Sequence, residues 1–294
     1  MMVPSVWTAL VPYEPLPEAL GYLHERGWNC FEVSTEHLDW LRLSGDPAGA
    51  VELSRRTIEE LSLSTPQAHG RISAELAHPD EARRRADMEI IMREFDLCAA
   101  LGVRNVVLHP GIDEEGCTNR SCGQYRGLVQ RNVESFRRLA DHAGERGIRI
   151  AVENVFDSLA VRGRRAFGAT PEELLDLLGA IDRPNVGVCL DTSHANIARL
   201  DIPQVIRDFG ARLIATHISD SDGSRDQHLI PGHGSRGERK IEWGAVMAAF
   251  AEIGYDGIFN LEIPGVGTSE LELLDLIVRH ACEVAHRLVA MARA

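Results

Sequence analysis

Six short apolar runs in this chain each end on a residue able to bind a metal ion or move a proton. Pro66-Gln67-Ala68 leads to His69, Val106-Val107-Leu108 to His109, and Ile148-Arg149-Ile150-Ala151-Val152 to Glu153. Val186-Gly187-Val188-Cys189-Leu190 leads to Asp191, Leu213-Ile214-Ala215-Thr216 to His217, and Ile258-Phe259-Asn260-Leu261 to Glu262. The intervals run from about 26 to about 45 residues, the length of one strand–helix unit with its loops. If each run is a parallel strand, six ligand-type side chains project from one end of a single barrel, the end where (β/α)8 enzymes keep their chemistry.

The rest of the chain fits that rhythm. Further strands are predicted at Val6–Val11 and Trp28–Val33, with helices at Leu16–Arg26 and Ala50–Leu61. Pro79-Asp80-Glu81 opens a helix that runs to Leu101 and stops at Gly102; Gln124–Arg146 is a helix stopped by Gly147. Thr170-Pro171-Glu172-Glu173 supplies an N-cap, a first-turn proline and two favourable acids. Helices at Ile202–Phe209, Trp243–Ile253 and Glu270–Ala292 fill the remaining gaps. The strand runs are apolar without alternation, as expected of strands buried on both faces. Eight strands alternating with helices predict an α/β fold, one (β/α)8 TIM barrel over residues 1–294, rather than two domains.

Charge bears on partners. A net charge of −13 opposes non-specific attraction to nucleic acid, and Lys240 is the only lysine. Six scattered cysteines do not make a disulfide framework. Cys117 and Cys122 read as free loop thiols, because they lack zinc-ribbon spacing. With no basic-then-apolar leader and no run of membrane-spanning length, a cytoplasmic protein is expected.

Glu153, Asp191, His217 and Glu262 are expected to close strands five to eight. Two glutamates, an aspartate and an imidazole suit a divalent ion, Mn²⁺ or Zn²⁺ first and Mg²⁺ or Co²⁺ next. Burying such groups is expensive unless they are paired or metal-bound. Asp191 or Glu153 can instead cap a turn, and His217 can be a core histidine, but four at one end favour a site. His194, three residues past Asp191, is placed toward the same cavity as a substrate donor or a ligand of another metal. Asp226 and His228, two apart, point the same way if their loop is extended, and Pro231-Gly232-His233-Gly234 reads as a flexible turn. Arg162, Arg164 and Arg165 form a candidate anion-binding loop after strand five, with a solvated basic loop as the alternative. Glu36-His37-Leu38-Asp39-Trp40 is a candidate pocket wall, with Trp40 against a sugar face; His37, His78, His142, His280 and His286 are left as core or surface histidines.

His109-Pro110-Gly111, Ala151-Val152-Glu153-Asn154, Gly187 to Ala195, His217-Ile218-Ser219-Asp220, Asp226 to Gly234 and Tyr255-Asp256-Gly257-Ile258 together resemble the xylose-isomerase-like barrel superfamily. That superfamily includes sugar-phosphate isomerases, ketose 3-epimerases, inosose dehydratases and endonuclease IV. The resemblance covers most of the chain and is strongest from His109 to Glu262. It implies either of two sites. In the ketose epimerases, residues matching Glu153, Asp191, His217 and Glu262 hold one metal, the two glutamates act as acid and base, and a counterpart of His194 contacts substrate. In endonuclease IV, nine ligands hold three zinc ions, and all nine types have a candidate: His69, His109, Glu153, Asp191, His194, His217, Asp226, His228 and Glu262. The chain departs from the family at His233, where the turn commonly carries an acid, and at Leu159, near the place of an additional substrate-binding glutamate.

The expected function is therefore a metal-dependent sugar isomerase or epimerase acting by proton abstraction alpha to a carbonyl through an enediolate. The alternatives are an endonuclease IV-like abasic-site phosphodiesterase, an inosose-type dehydratase, and a non-catalytic metal-dependent sugar-binding protein. The expected partner is a small-molecule sugar rather than nucleic acid or membrane. The resemblance also implies a homodimer, for which no helix face in the sequence identifies an interface.

Overall fold

A computed structural model describes residues 2–112, 123–156, 166–234, 237, 240–264 and 271–293. Eight strands, β1 Val3–Trp7, β2 Cys30–Val33, β3 Ser64–His69, β4 Asn105–Leu108, β5 Arg149–Glu153, β6 Val186–Asp191, β7 Leu213–His217 and β8 Ile258–Leu261, lie in one sheet ordered β7-β6-β5-β4-β3-β2-β1-β8. Every pairing of these strands is parallel. The ends of that sheet meet. The Ile218 amide donates to the Asn260 carbonyl at 2.7 Å and the Glu262 amide to the Ile218 carbonyl at 3.2 Å. Below that bridge the Thr216 hydroxyl donates to the Ile258 carbonyl (2.8 Å) and accepts from the Asn260 amide (3.2 Å), so a side chain stands in for part of the ladder. The result is the single (β/α)8 barrel expected from the strand rhythm.

Among the described residues the helices are α1 Leu16–His24, α2 Thr35–Leu43, α3 Pro47–Glu60, α4 Glu81–Ala100, α5 Gly123–Gly144, α6 Pro171–Ile181, α7 Thr192–Ile197, α8 Ile202–Phe209, α9 Trp243–Glu252 and α10 Leu271–Met291. Their ends follow capping chemistry. Asp80 accepts from Ala82 N at 2.8 Å, and Thr170 accepts from Glu173 N with Pro171 following it. Gly102 and Gly147, at φ +81° and +66°, end α4 and α5 in a conformation costly for any other residue.

Three elements early in the chain depart from the sequence reading. The first strand is Val3–Trp7 rather than Val6–Val11, and Thr8–Leu10 forms a 3-10 turn. Pro4 disguised the strand, although it pairs with Phe259 in register, and the Thr8 hydroxyl then takes the Ser34 amide at 2.9 Å. The stretch offered as a pocket wall is instead helix α2, capped by Ser34, with Trp40 packed on the core. His37 is a core histidine, bonded to Thr8 Oγ1 at 2.9 Å and to the Glu14 carbonyl at 3.0 Å. Helix α3 also begins earlier than expected, because Asp46 caps it ahead of Pro47.

Between strands and helices lies one continuous apolar core. Apart from it, the small side chains of Val107, Ala151, Cys189 and Ala215, from β4 to β7, form a second apolar cluster. Such small residues leave headroom, and the larger polar side chains collect above them at the carboxyl ends of the strands. Among the described residues, no helix is long and apolar enough to cross a membrane.

Candidate metal and substrate site

The carboxyl ends of β5 to β8 bring four of the expected residues together. One ligand atom each from Glu153, Asp191, His217 and Glu262 falls within 4.8 Å of the others, all on buried residues. His217 Nδ1 lies 3.2 Å from Glu153 Oε2 and 3.2 Å from Glu262 Oε2. These three atoms and Asp191 Oδ2 are all buried without a hydrogen-bond partner. Buried oxygens and an imidazole nitrogen rarely stay unsatisfied, since each costs about 1–3 kcal/mol or more when orphaned. A mixed O/N quartet with converging lone pairs fits a divalent cation.

Local structure sets each ligand. Asp191 divides its labour: Oδ1 accepts the His194 amide at 2.6 Å, capping α7, while Oδ2 faces the cluster. The capping role read from the sequence is present, and it leaves Oδ2 without a partner at the cluster. Asn154 locks β5 to β6 at this level, donating to the Asp191 carbonyl at 3.0 Å and accepting its amide at 2.7 Å.

His69 and His109 flank the quartet on one side. Their Nε2 atoms lie 3.4 and 3.2 Å from Glu153 Oε2. His69 Nδ1 donates to the Gly70 carbonyl at 2.8 Å, which leaves the Nε2 lone pair for the cavity in the neutral ring. The loop after His109 is fixed by Asn132, which accepts the Gly111 amide at 2.7 Å and donates to its carbonyl at 2.9 Å.

On the other side stand His194, Asp226 and His228. His228 Nε2 pairs with Asp226 Oδ1 at 2.7 Å, and His194 Nε2 lies 3.5 Å from Asp226 Oδ2. The Asp226–His228 contact does not come from an extended loop, as the spacing of two suggested. His228 is left-handed at φ +47°, and the curl itself brings the side chains together. The turn at 231–234 is likewise not free. Asp220 accepts the Gly232 amide (2.8 Å) and the Trp243 indole N–H (3.1 Å), and a Cβ at Gly234 would lie 2.0 Å from its Oδ1. His233 faces away, its ring edge-on to His280 at 5.2 Å.

The electrostatics follow this geometry. Burial alone would raise the Glu153 pKa, but the neighbouring imidazoles, His217 and His109 first and then His194, hold it well below the usual carboxylate range. Glu262 is held near about 2 against its burial by His217 and His228. Asp191 is pushed up to about 7 by burial, with His194 and His228 opposing. His228 rises to about 12, because Glu262, Asp226 and Asp191 outweigh its desolvation. Negative charge in this cluster is thus tolerated only where positive charge meets it, which is also what a bound cation supplies.

Above the cluster opens a cavity of about 1030 Å³. Trp7, Phe156 and Pro264 give it apolar wall, and His69, His109, Glu153, His194, Asp226, His228 and Glu262 face into it. Trp7, not Trp40, is the tryptophan at the site, its ring 6.5 Å from that of His69. The mistaken strand boundary hid it: once β1 ends at Trp7, that residue occupies a strand end. His78 lines the outer cavity. The sequence reading also missed Glu32, whose Oε1 takes His217 Nε2 at 2.9 Å. Arg162, Arg164 and Arg165, with Leu159, Cys117 and Cys122, lie outside the described residues.

Comparison with known proteins agrees with this architecture. A family model described as xylose isomerase-like TIM barrel matches residues 20–283. The uncharacterized protein y4fM of Sinorhizobium fredii is 30% identical over 257 residues, covering 79% of this chain and 78% of that protein. A probable endonuclease 4 of Nitratidesulfovibrio vulgaris is 30% identical over 212 residues, covering 66% of this chain and 67% of its own. Among solved structures, a D-tagatose 3-epimerase-like protein superposes with a TM-score of 0.79 at 22% identity over 100% of both chains.

Proposed function

The chain belongs to the xylose isomerase-like TIM barrel family, and from that premise we propose that it is a divalent-metal-dependent sugar isomerase or epimerase working by proton abstraction alpha to a carbonyl. One observation carries the reading: Glu153 and Glu262, from β5 and β8, converge with unsatisfied oxygens on one imidazole nitrogen at the floor of a cavity.

A divalent ion on Glu153, Asp191, His217 and Glu262 would polarise the substrate carbonyl and stabilise the charge that develops on its oxygen. Glu153 and Glu262 approach from separate strands, so one can remove the alpha proton and the other return it. Return to the opposite face of the same carbon inverts it; return to the neighbouring carbon moves the carbonyl. His194 would donate to a substrate hydroxyl, and Asp226, held by His228, would accept from one. The wall of Trp7 and Phe156 offers ring faces to the sugar and keeps water from the carbanion-like centre. Similarity to a D-tagatose 3-epimerase-like fold supports a ketose or keto-sugar substrate.

The test is solvent-deuterium exchange at the alpha carbon across ketoses, keto-inositols and 3-keto sugars. Glu153→Gln and Glu262→Gln should each lower exchange by about 10²- to 10⁴-fold while metal stays bound. Undiminished exchange in both would remove the assigned roles.

A second reading has its own support. The quartet, His69 and His109 on Glu153, and His194 with Asp226 and His228 make three adjoining ligand groups, and the chain is similar to a probable endonuclease 4. That reading expects three zinc ions and incision of abasic DNA. The net charge of −13 weighs against a DNA-gripping surface.

A further inference from the structure

Behind the candidate metal quartet, and joined to it through His217, Glu32, Asn260 and Ser5 form a chain of buried polar groups to which the proposed chemistry gives no part. His217 Nε2 lies 2.9 Å from Glu32 Oε1. Glu32 Oε2 accepts from the Asn260 side-chain amide, and Asn260 Oδ1 accepts the Ser5 hydroxyl at 3.0 Å. Ser5, Glu32, His217 and Asn260 come from β1, β2, β7 and β8, and all four have 0% exposure. The chain therefore crosses the seam where the barrel closes.

The directions of these bonds are determined. The Glu32 carboxylate accepts only, so its partners must donate: the imidazole through Nε2–H and Asn260 through its NH₂. Asn260 then presents its oxygen to Ser5, whose hydroxyl is a donor. With one N–H fixed at Nε2, a ring that gives up its other proton to meet a cation has its lone pair at Nδ1. That is the atom 3.2 Å from both Glu153 Oε2 and Glu262 Oε2. A carboxylate wholly inside a barrel is costly to hold. Here it returns a single ring orientation and tautomer, as partners of metal-bound histidines do elsewhere.

We propose that Glu32, held by Asn260 and Ser5, is the positioning residue of the candidate metal site, fixing His217 with Nδ1 toward the ion. The inference rests on the metal-centred reading above. It adds the β1–β2 side of the barrel, which supplies none of the four ligands, to the groups that set metal affinity.

Co²⁺ binding to the full chain, followed by its visible d–d bands without substrate, tests this. Glu32→Gln should lower Co²⁺ affinity roughly 10- to 100-fold and shift the bands, because the ring loses its fixed acceptor. Asn105→Ala serves as the control. It removes another buried lumen amide, one bonded to the Ile214 carbonyl at 3.0 Å and away from the quartet, so it should cost stability and leave Co²⁺ affinity within twofold. Glu32→Gln within twofold of wild type in affinity, with unchanged bands, would overturn the proposal. So would an equal loss in Asn105→Ala, which would make the effect one of general stability. Should Glu32→Gln not fold, ¹⁵N-histidine NMR of the zinc-loaded wild type decides: zinc on Nδ1 with a low-field, exchange-protected Nε2–H supports it, and zinc on Nε2 refutes it. Wild type that binds no Co²⁺ would instead sink the metal-centred reading itself.

Discussion

Two regions of this molecule bury a carboxylate with an oxygen left unpaired, and they solve the problem in opposite ways. Glu94, on α4, is fully buried with Oε1 unsatisfied, and its other oxygen accepts the Arg71 amide at 3.0 Å. Burial, opposed by that bond, pushes its pKa up to about 7; Asp39 adds to the rise, and Arg42 and Arg71 act against it. Glu94 therefore meets burial by keeping its proton up to near neutral pH. Glu153 is as deeply buried, yet its carboxyl is held well below the usual range, because imidazoles surround it. An orphaned buried oxygen is thus not in itself a metal site. Several of them converging on one imidazole nitrogen make a candidate for one.

The contrast can be broken most decisively at Asp191. Asp191→Ala should lower divalent-metal affinity by more than about 100-fold, beyond the usual cost of losing an outer partner. Glu94→Gln should leave that affinity unchanged. Titration against a chelating dye measures both, and a comparable loss in Glu94→Gln would erase the distinction.

Asp226→Asn sharpens the comparison from within the site. Asp226 is satisfied by His228 and partly exposed, unlike the quartet, so the variant should lose turnover by about 10²-fold while retaining the ion held by the quartet. Loss of all bound metal would show that the two ligand groups act as one.

Thermal melting gives a smaller effect. An ion at 100 times its Kd adds about 2.7 kcal/mol to stability. Wild type and Glu94→Gln should therefore both gain Tm on metal addition, and Asp191→Ala should not.

The smallest effect is the pH dependence of Glu94. Its folded pKa of about 7 exceeds the ordinary 4.5, so the folded state binds the extra proton between those values. Its contribution to stability is full below pH 4.5 and is lost as pH rises through about 7. Tm of the metal-free protein should fall over that window, and Glu94→Gln should flatten the decline by a few degrees. An unaltered slope would mean that Glu94 does not titrate there.

Much of this was legible in the sequence, for identifiable reasons. Parallel strands covered on both faces read as unbroken apolar runs, so the residues closing β5 to β8 could be placed from pattern alone. Trp7 was obscured because Pro4 masks the strand that presents it. Helix α2 was missed because Ser34, its cap, follows β2 with no intervening loop signal. Glu32 was invisible for a deeper reason. A glutamate inside a strand looks like an exposed alternation, and only the closed barrel sets it against a histidine 185 residues away. The curl at His228 could not be anticipated either, since a left-handed histidine leaves no mark in composition.

Asp191 carries one more consequence. The same carboxylate faces the candidate ion and begins the short helix that holds His194, while His194 Nδ1 lies 2.8 Å from the Asn154 carbonyl. Arrival of the ion should therefore be felt as order in residues 192–197, slowing amide exchange at His194 before any sugar is present. The barrel would ready its substrate-side histidine by the act of being loaded.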